Sequence, residues 1–242
     1  MKLAANAVGL AVSATLVGQW GPMLTSIAPL RRRALPGLSG IGPGRSIALT
    51  YDDGPDPAST PLFLELLDKH RVSATFFLLG EFVDTNASLV REMTAAGHEL
   101  AVHGWDHQCL AWKRPSQPVD QIYRTKAIIE DLTGVGVRWF RPPYGVMTGE
   151  GLVAARRAGL RTVLWSAWGR DWSSRATADS IVHKIDRVVE PGGTVLLHDT
   201  DRTSSPGSWQ STLSASDRLL TQWRDSGVPV RTLSDRLAAT SA

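Results

Sequence analysis

From residue 45 onward the chain alternates short apolar runs with segments of helical spacing, and this alternation restricts the fold more than any other feature. A strand followed by a helix returns to the same end of the sheet, so repeated units build a parallel sheet with helices outside it. Ser46–Tyr51 reads as a buried strand. Ser59 caps a helix with Pro61 in its first turn and Phe63, Leu66, Leu67 and His70 at helical spacing. Val72–Leu78 is the next strand. Asn86 caps a helix bearing Leu89, Val90 and Met93, which Gly97 ends, and Glu99–Val102 follows as a strand. The pattern then predicts a helix over Val119–Leu132, a strand at Arg138–Phe140, a helix over Gly149–Ala158 and a strand at Leu160–Trp165. Thr177 caps a helix with Ile181, Ile185 and Val188 on one face. Thr194–Leu197 is a strand, Ser211–Asp225 a helix and Val228–Arg231 a last strand. About seven parallel strands in roughly 190 residues favour a closed or nearly closed α/β barrel over an open sheet.

Composition narrows the chemistry. Hydrophobic residues make up 43% and charged residues 20% of 242 positions, as in an ordinary folded domain. The net charge is +3 with no basic stripe beyond Arg31–Arg33, which argues against nucleic acid as a partner. Cys109 is the single cysteine, so neither an intrachain disulfide nor a multi-thiolate zinc site can form. Any metal must therefore rest mainly on histidine and carboxylate ligands. Nine tryptophans can fill core or stack on sugar rings.

Residues 1–44 stand apart as an N-terminal segment, with the main domain over 45–242. Leu3 to Leu30 carries no charge, and Ala7–Gly18 resembles the apolar stretch of a signal peptide. No small-x-small cleavage site follows it, and Asn6, Ser13, Thr15, Gln19 and Pro22 make it weak as a membrane span. Export or anchoring and a packed cytoplasmic extension both remain open. Any membrane contact would come through this segment alone.

The informative polar residues fall just after strands. Asp52-Asp53 follows the first, His103 and His107 the third, Arg141-Pro142-Pro143-Tyr144-Gly145 the fourth, and His198-Asp199 the Thr194–Leu197 strand. Asp171-Trp172 comes a few residues after the fifth. In a parallel barrel these ends share one face, where barrel enzymes keep their sites. Singly, each has a plain structural reading. Asp-Asp-Gly-Pro makes a tight turn as readily as a site, and both acids can serve one centre only if Gly54-Pro55 breaks the pleat. His103 and His107 are either two surface residues or, four apart on a helical turn, a pair able to share a metal. Arg141 is either a surface ion-pair partner or, before two prolines in an apolar loop, buried. His198 alone suits a satisfied core histidine and Trp172 a core residue. His70, His98 and His183 read as structural or exposed.

Taken together, the runs Thr-Tyr-Asp-Asp-Gly-Pro (50–55), His-Gly-Trp-Asp-His (103–107), Arg-Pro-Pro-Tyr-Gly (141–145), Asp-Trp (171–172) and Leu-Leu-His-Asp (196–199) resemble the five ordered motifs of the polysaccharide deacetylases. This family is also known as the NodB homology domain or carbohydrate esterase family four. The similarity spans roughly residues 45–235 and implies a distorted (β/α) barrel and an N-deacetylase acting on an acetylated carbohydrate such as peptidoglycan or a chitin-like oligosaccharide. It implies one divalent metal ion, usually zinc, on Asp53, His103 and His107, with open positions left for chemistry. Asp52 would be the general base and His198 the general acid. Asp171 would hold His198, and Arg141 would keep Asp52 ionised. The Tyr144 N–H would steady the oxyanion, with Leu196 and Trp172 around the acetyl methyl.

Three positions depart from the family pattern. Gly104 lacks the hydroxyl that usually follows the first histidine, Gln108 stands where proline is frequent, and Tyr51 replaces a common phenylalanine. Two other functions stay in view. One is hydrolysis of O-acetyl esters or small amides on the same barrel; the other is a non-catalytic glycan-binding relative. Trp105, Trp172 and Trp209 favour a sugar, and the Asp199–Trp209 loop is a candidate to shape the cleft.

Overall fold

The computed structural model describes residues 19–114 and 116–239. The signal-like run Ala7–Gly18 lies outside the described residues. Within them the sheet has eight strands: β1 (Ile47–Asp52), β2 (Thr75–Leu78), β3 (Glu99–Val102), β4 (Trp139–Phe140), β5 (Arg161–Thr162), β6 (Ala167–Trp168), β7 (Thr194–His198) and β8 (Val230–Arg231). All pair in parallel, in the order β5-β4-β3-β2-β1-β7-β6, with β8 also on β1. The result is the expected α/β barrel, curled and open between β5 and β6.

Nine α-helices pack around it: α1 (Ala28–Ala34), α2 (Thr60–His70), α3 (Gly80–Thr85), α4 (Ala87–Ala95), α5 (Ser116–Thr133), α6 (Gly149–Arg157), α7 (Ala178–Asp186), α8 (Ser208–Asp225) and α9 (Leu233–Ala238). These counts are of the described residues. Continuous burial of β1 and β2 fits strands covered on both faces. The helices' apolar faces, such as Phe63, Leu67, Ile181, Ile185 and Leu219, meet Leu49, Tyr51 and Phe76 in one core. Thr177 caps α7 through a reciprocal box with Ser180. Ser59 and Asn86 precede their helices without a side-chain cap bond. Val188 lies beyond the end of α7 and is exposed rather than on its buried face. The short α3 went unread in the sequence.

The largest departure is at Leu160–Trp165, read above as one strand. Only Arg161–Thr162 pairs with β4, and a separate ladder at Ala167–Trp168 pairs with β7. Between them the backbone leaves the sheet for the N-terminal segment. Leu164 N–H donates to the Leu38 carbonyl at 3.2 Å, and the buried Arg31 guanidinium donates to the Trp165 carbonyl at 2.7 Å. Buried backbone groups must find partners. Val163 N–H still reaches Phe140 O of β4 and Ser166 N–H reaches Thr194 O of β7, but the Leu164 N–H and the Trp165 carbonyl between them are met by residues 31–38. Gly40 makes the approach feasible, since its φ is +77° and a Cβ would sit 2.8 Å from the Trp165 backbone. No described helix is long and apolar enough to cross a membrane.

Candidate active site

Each strand end hands its next residue to the same edge. Asp53 N–H donates to Phe77 O (3.1 Å), His103 N–H to Leu78 O (2.9 Å) and Arg141 N–H to Val102 O (3.0 Å). On the other side β7 runs in register with β1, so His198 lies directly beside Asp52. The pleat breaks at Asp53 itself, one residue earlier than Gly54-Pro55, with φ +77°; Gly54-Pro55 is cis. That left-handed backbone turns both carboxylates into one cleft of about 480 Å³, which Asp52, Asp53, His103, His107, Tyr144, Trp172, Leu196 and His198 line. Arg141 and Asp171 lie just behind it, fully buried.

His103 and His107 do not share a helical turn. Residues 103–109 form a loop, with Gly104 at φ +101° and His107 at φ +51°. The loop lacks the expected hydroxyl at 104 but has other supports. Thr125 of α5 donates to the Gly104 carbonyl at 2.9 Å. Asp106 accepts from Lys113 (2.8 Å), Gln121 (2.9 Å) and the Gln108 N–H (3.2 Å).

Asp53 Oδ1 lies 3.2 Å from His103 Nε2 and 3.3 Å from His107 Nε2, buried and without a hydrogen-bond partner. His103 Nδ1 meets the Arg141 carbonyl at 2.9 Å; a carbonyl only accepts, so this ring nitrogen carries the proton. Nε2 of the same ring is turned on a carboxylate oxygen, an arrangement that suits a cation between them. Burial pushes the Asp53 carboxyl up, but the His103 contact and the positive charge of the surrounding histidines at the acid pH where a carboxyl titrates outweigh it and hold the group below the ordinary range. Burial pushes His107 down to about 4, leaving a neutral imidazole. A buried carboxylate and two imidazoles with converging free atoms fit a divalent cation. Thr203, missed in the sequence, donates its hydroxyl to Asp53 Oδ2 and leaves Oδ1 alone to face the histidines.

Two pairs flank this triad. Asp52 Oδ1 accepts from Arg141 Nη1 at 2.6 Å, and the same nitrogen donates to Thr50 Oγ1 at 2.9 Å. The Arg141 guanidinium rests 4.0 Å from the Phe77 ring centre. Opposite, Asp171 Oδ1 takes His198 Nδ1 at 3.0 Å, while its Oδ2 accepts the His198 N–H at 2.7 Å and Thr212 Oγ1 at 3.0 Å. Burial alone lowers the His198 pKa; Asp171 first, then Asp53 and Asp52, reverse this and raise it to about 10. Asp199, next in the motif, is fully buried under a Thr60 hydroxyl and is pushed up to about 7 by burial.

Tyr144 has a left-handed backbone (φ +60°, ψ 5°), and its exposed ring packs 4.6 Å from His107. Of the three tryptophans expected near the site, only Trp172 lines the cleft. Trp105 stacks instead under Arg124 at 3.4 Å, and Trp209 packs on the core. Trp165 and Trp168 take their places in the cleft wall, carried there by the break in the fifth strand. Ser204, with Thr203, brings the Asp199–Trp209 loop into the wall.

Comparison with known proteins assigns the chain to a family. The polysaccharide deacetylase profile matches residues 39–163. A chitooligosaccharide deacetylase of Bradyrhizobium sp. (strain ANU 289) is 39% identical over 175 residues, which cover 72% of this chain and 78% of that protein. The crystal structure of a peptidoglycan N-acetylglucosamine deacetylase, in complex with 4-naphthalen-1-yl-N-oxidanyl-benzamide, superposes with a TM-score of 0.75 at 31% identity and covers 82% of this chain and 91% of that one. A carbohydrate esterase family four pseudoenzyme from Bacillus anthracis superposes at 0.72 with 29% identity, covering 80% and 66%. The chain belongs to the polysaccharide deacetylase family, carbohydrate esterase family four, whose members are metal-dependent hydrolases. Because the same fold also carries a pseudoenzyme, activity has to be argued from the site residues.

Proposed function

We propose that this chain is an active N-deacetylase of an N-acetylated glycan, with one zinc ion held by Asp53, His103 and His107. The observation that carries the reading is the unpartnered Asp53 Oδ1 between two imidazole nitrogens, set between a held carboxylate and a held imidazole. The named relatives act on chitooligosaccharide and on the N-acetylglucosamine of peptidoglycan, which supplies the substrate class. Residues 45–242 are the catalytic unit. The packing of Arg31 and Leu38 against it supports a packed extension for the described part of 19–44.

A divalent ion held by Asp53, His103 and His107 would supply Lewis-acid chemistry here, polarising an acetyl carbonyl and acidifying water. Asp52 takes a proton from the attacking water, and Arg141 holds its carboxylate in place. The Tyr144 N–H donates to the oxyanion that forms as the carbonyl is attacked. His198, held by Asp171 with Nε2 turned to the cleft, gives a proton to the leaving nitrogen, without which an amine leaves poorly. Leu196 and Trp172 enclose the acetyl methyl.

Purified protein is expected to release acetate from N-acetylated chitooligosaccharides or peptidoglycan fragments, to stop on chelation and to recover with Zn²⁺. No acetate from any N-acetylated glycan despite bound metal overturns the reading. Release from acetylated xylan alone would instead favour the ester alternative.

A further inference from the structure

The cleft does not end at its tryptophan wall. Trp165 and Trp168, whose ring centres are 5.6 Å apart, also line a neighbouring groove of about 420 Å³. Arg170, Lys184 and Arg187 line that groove too, and none of its lining residues is acidic. Arg170 and Arg187 are exposed, and Lys184 is half-buried. Among the described residues none of the three forms an ion pair. Arg170 faces the Trp168 ring at 5.8 Å, and Lys184 reaches only the Ser180 hydroxyl at 3.5 Å. The acids nearest in sequence are engaged elsewhere: Asp171, next to Arg170, holds His198 Nδ1 at 3.0 Å, Glu190 pairs with Arg32 at 2.7 Å, and Asp186 accepts from Gln222 at 3.2 Å.

Three uncompensated cations beside two indole rings that continue the catalytic wall form a surface for a sugar ring carrying a negative charge. Indole faces take the ring, and the cations take the charge. We propose that this groove is an extended substrate subsite, and that the glycan it selects bears a carboxylate on a residue neighbouring the acetamide being cleaved. The inference rests on the deacetylase reading and names its substrate class as an acidic glycan over a neutral one.

The test compares N-acetylated peptidoglycan tetrasaccharides, which carry lactyl carboxylates, with the same fragments after amidation of those carboxylates. The variants are Lys184→Gln with Arg187→Gln, and separately Arg170→Gln; Lys184→Arg with Arg187→Lys is the charge-retaining control. For the carboxylated fragment KM should rise roughly five- to tenfold in the double variant at low salt, with kcat and the amidated fragment unchanged. The control should behave as wild type, and the difference should shrink as salt rises. Equal effects on both fragments, or none on either, overturn the proposal. So does loss of binding to phosphatidylglycerol vesicles with glycan kinetics unchanged, which would make the groove a membrane contact. If no fragment is turned over, the deacetylase reading fails by itself. The subsite is then judged by calorimetric affinities of the same fragments for the same variants, and equal affinities overturn it.

Discussion

The two ends of the sheet hold similar residues in opposite states. At the N-terminal end of the strands, Glu99 is saturated: Trp139 Nε1 (3.0 Å) and the Ser234 hydroxyl take Oε1, while Thr75 (2.7 Å) and the Ser234 N–H (3.3 Å) take Oε2. At the C-terminal end, Asp53, more deeply buried than the half-buried Glu99, keeps one oxygen bare. Histidine repeats the contrast. His98, beside Glu99, has only the Ala74 N–H at 3.3 Å and the Phe76 ring at 5.3 Å, and burial pushes it down to about 4. His198 is half-buried at the cleft, where burial also pushes it down, yet Asp171 raises it to about 10. Burial alone therefore does not set the charge; the partner does. The saturated end has both carboxylate oxygens committed within the fold, and the other end leaves one without a partner.

The contrast breaks most sharply at Asp52. Asp52→Asn is expected to cost roughly a thousandfold or more in kcat, because the proton acceptor is lost, while zinc content by atomic absorption stays near one per chain. Near-native turnover would refute the base assignment. Asp171→Asn makes His198 resemble His98. The imidazolium loses its first stabilising partner, so the alkaline limb of the kcat profile should move to lower pH, with a fall of about ten- to a hundredfold at its optimum. An unmoved limb would separate His198 from the acid role. Thr203→Val frees Asp53 Oδ2 and should weaken zinc several-fold in chelator competition, with Thr203→Ser restoring it. Unchanged affinity would leave Thr203 only a wall residue.

The smallest effect is at the saturated end. The folded pKa of His98 lies below its unfolded value of about 6.5, so the unfolded chain binds the extra proton and stability falls as pH drops from about 6.5 towards 4. His98→Asn keeps an acceptor for the Ala74 N–H and cannot titrate. The wild-type advantage in unfolding free energy over this variant, read from denaturant melts, should therefore shrink across that window by on the order of 1–3 kcal/mol, without any change in zinc affinity. A constant difference at all pH values would show that His98 is not buried neutral.

Much of the site was legible because it lies at strand ends. A run such as Val195-Leu196-Leu197 followed by His198 marks both a buried strand and the residue it delivers, and the parallel fold brings such ends together. The order of motifs supplied the family, which the profile match bears out. Thr203 could not be found this way. It sits in a loop of ordinary turn residues, and nothing in Thr-Ser-Ser announces a contact with Asp53, 150 positions earlier. The helical reading of His103 and His107 failed for a related reason. A four-residue spacing suits a helix, but Gly104 and His107 adopt left-handed backbones that Thr125 supports from outside the loop and Asp106 from within it.

The sequence by itself determined the parallel barrel, the strand ends that carry chemistry and the acid and imidazole residues that meet there, because period and punctuation act locally. Only the tertiary structure decided where the fifth strand breaks, which tryptophans reach the cleft and which oxygen of Asp53 stays bare. Those depend on partners far along the chain: Leu38 and Arg31 competing for the backbone near Trp165, and Thr203 for one carboxylate oxygen. A buried polar group takes the partner that geometry offers, and sequence distance does not enter that choice.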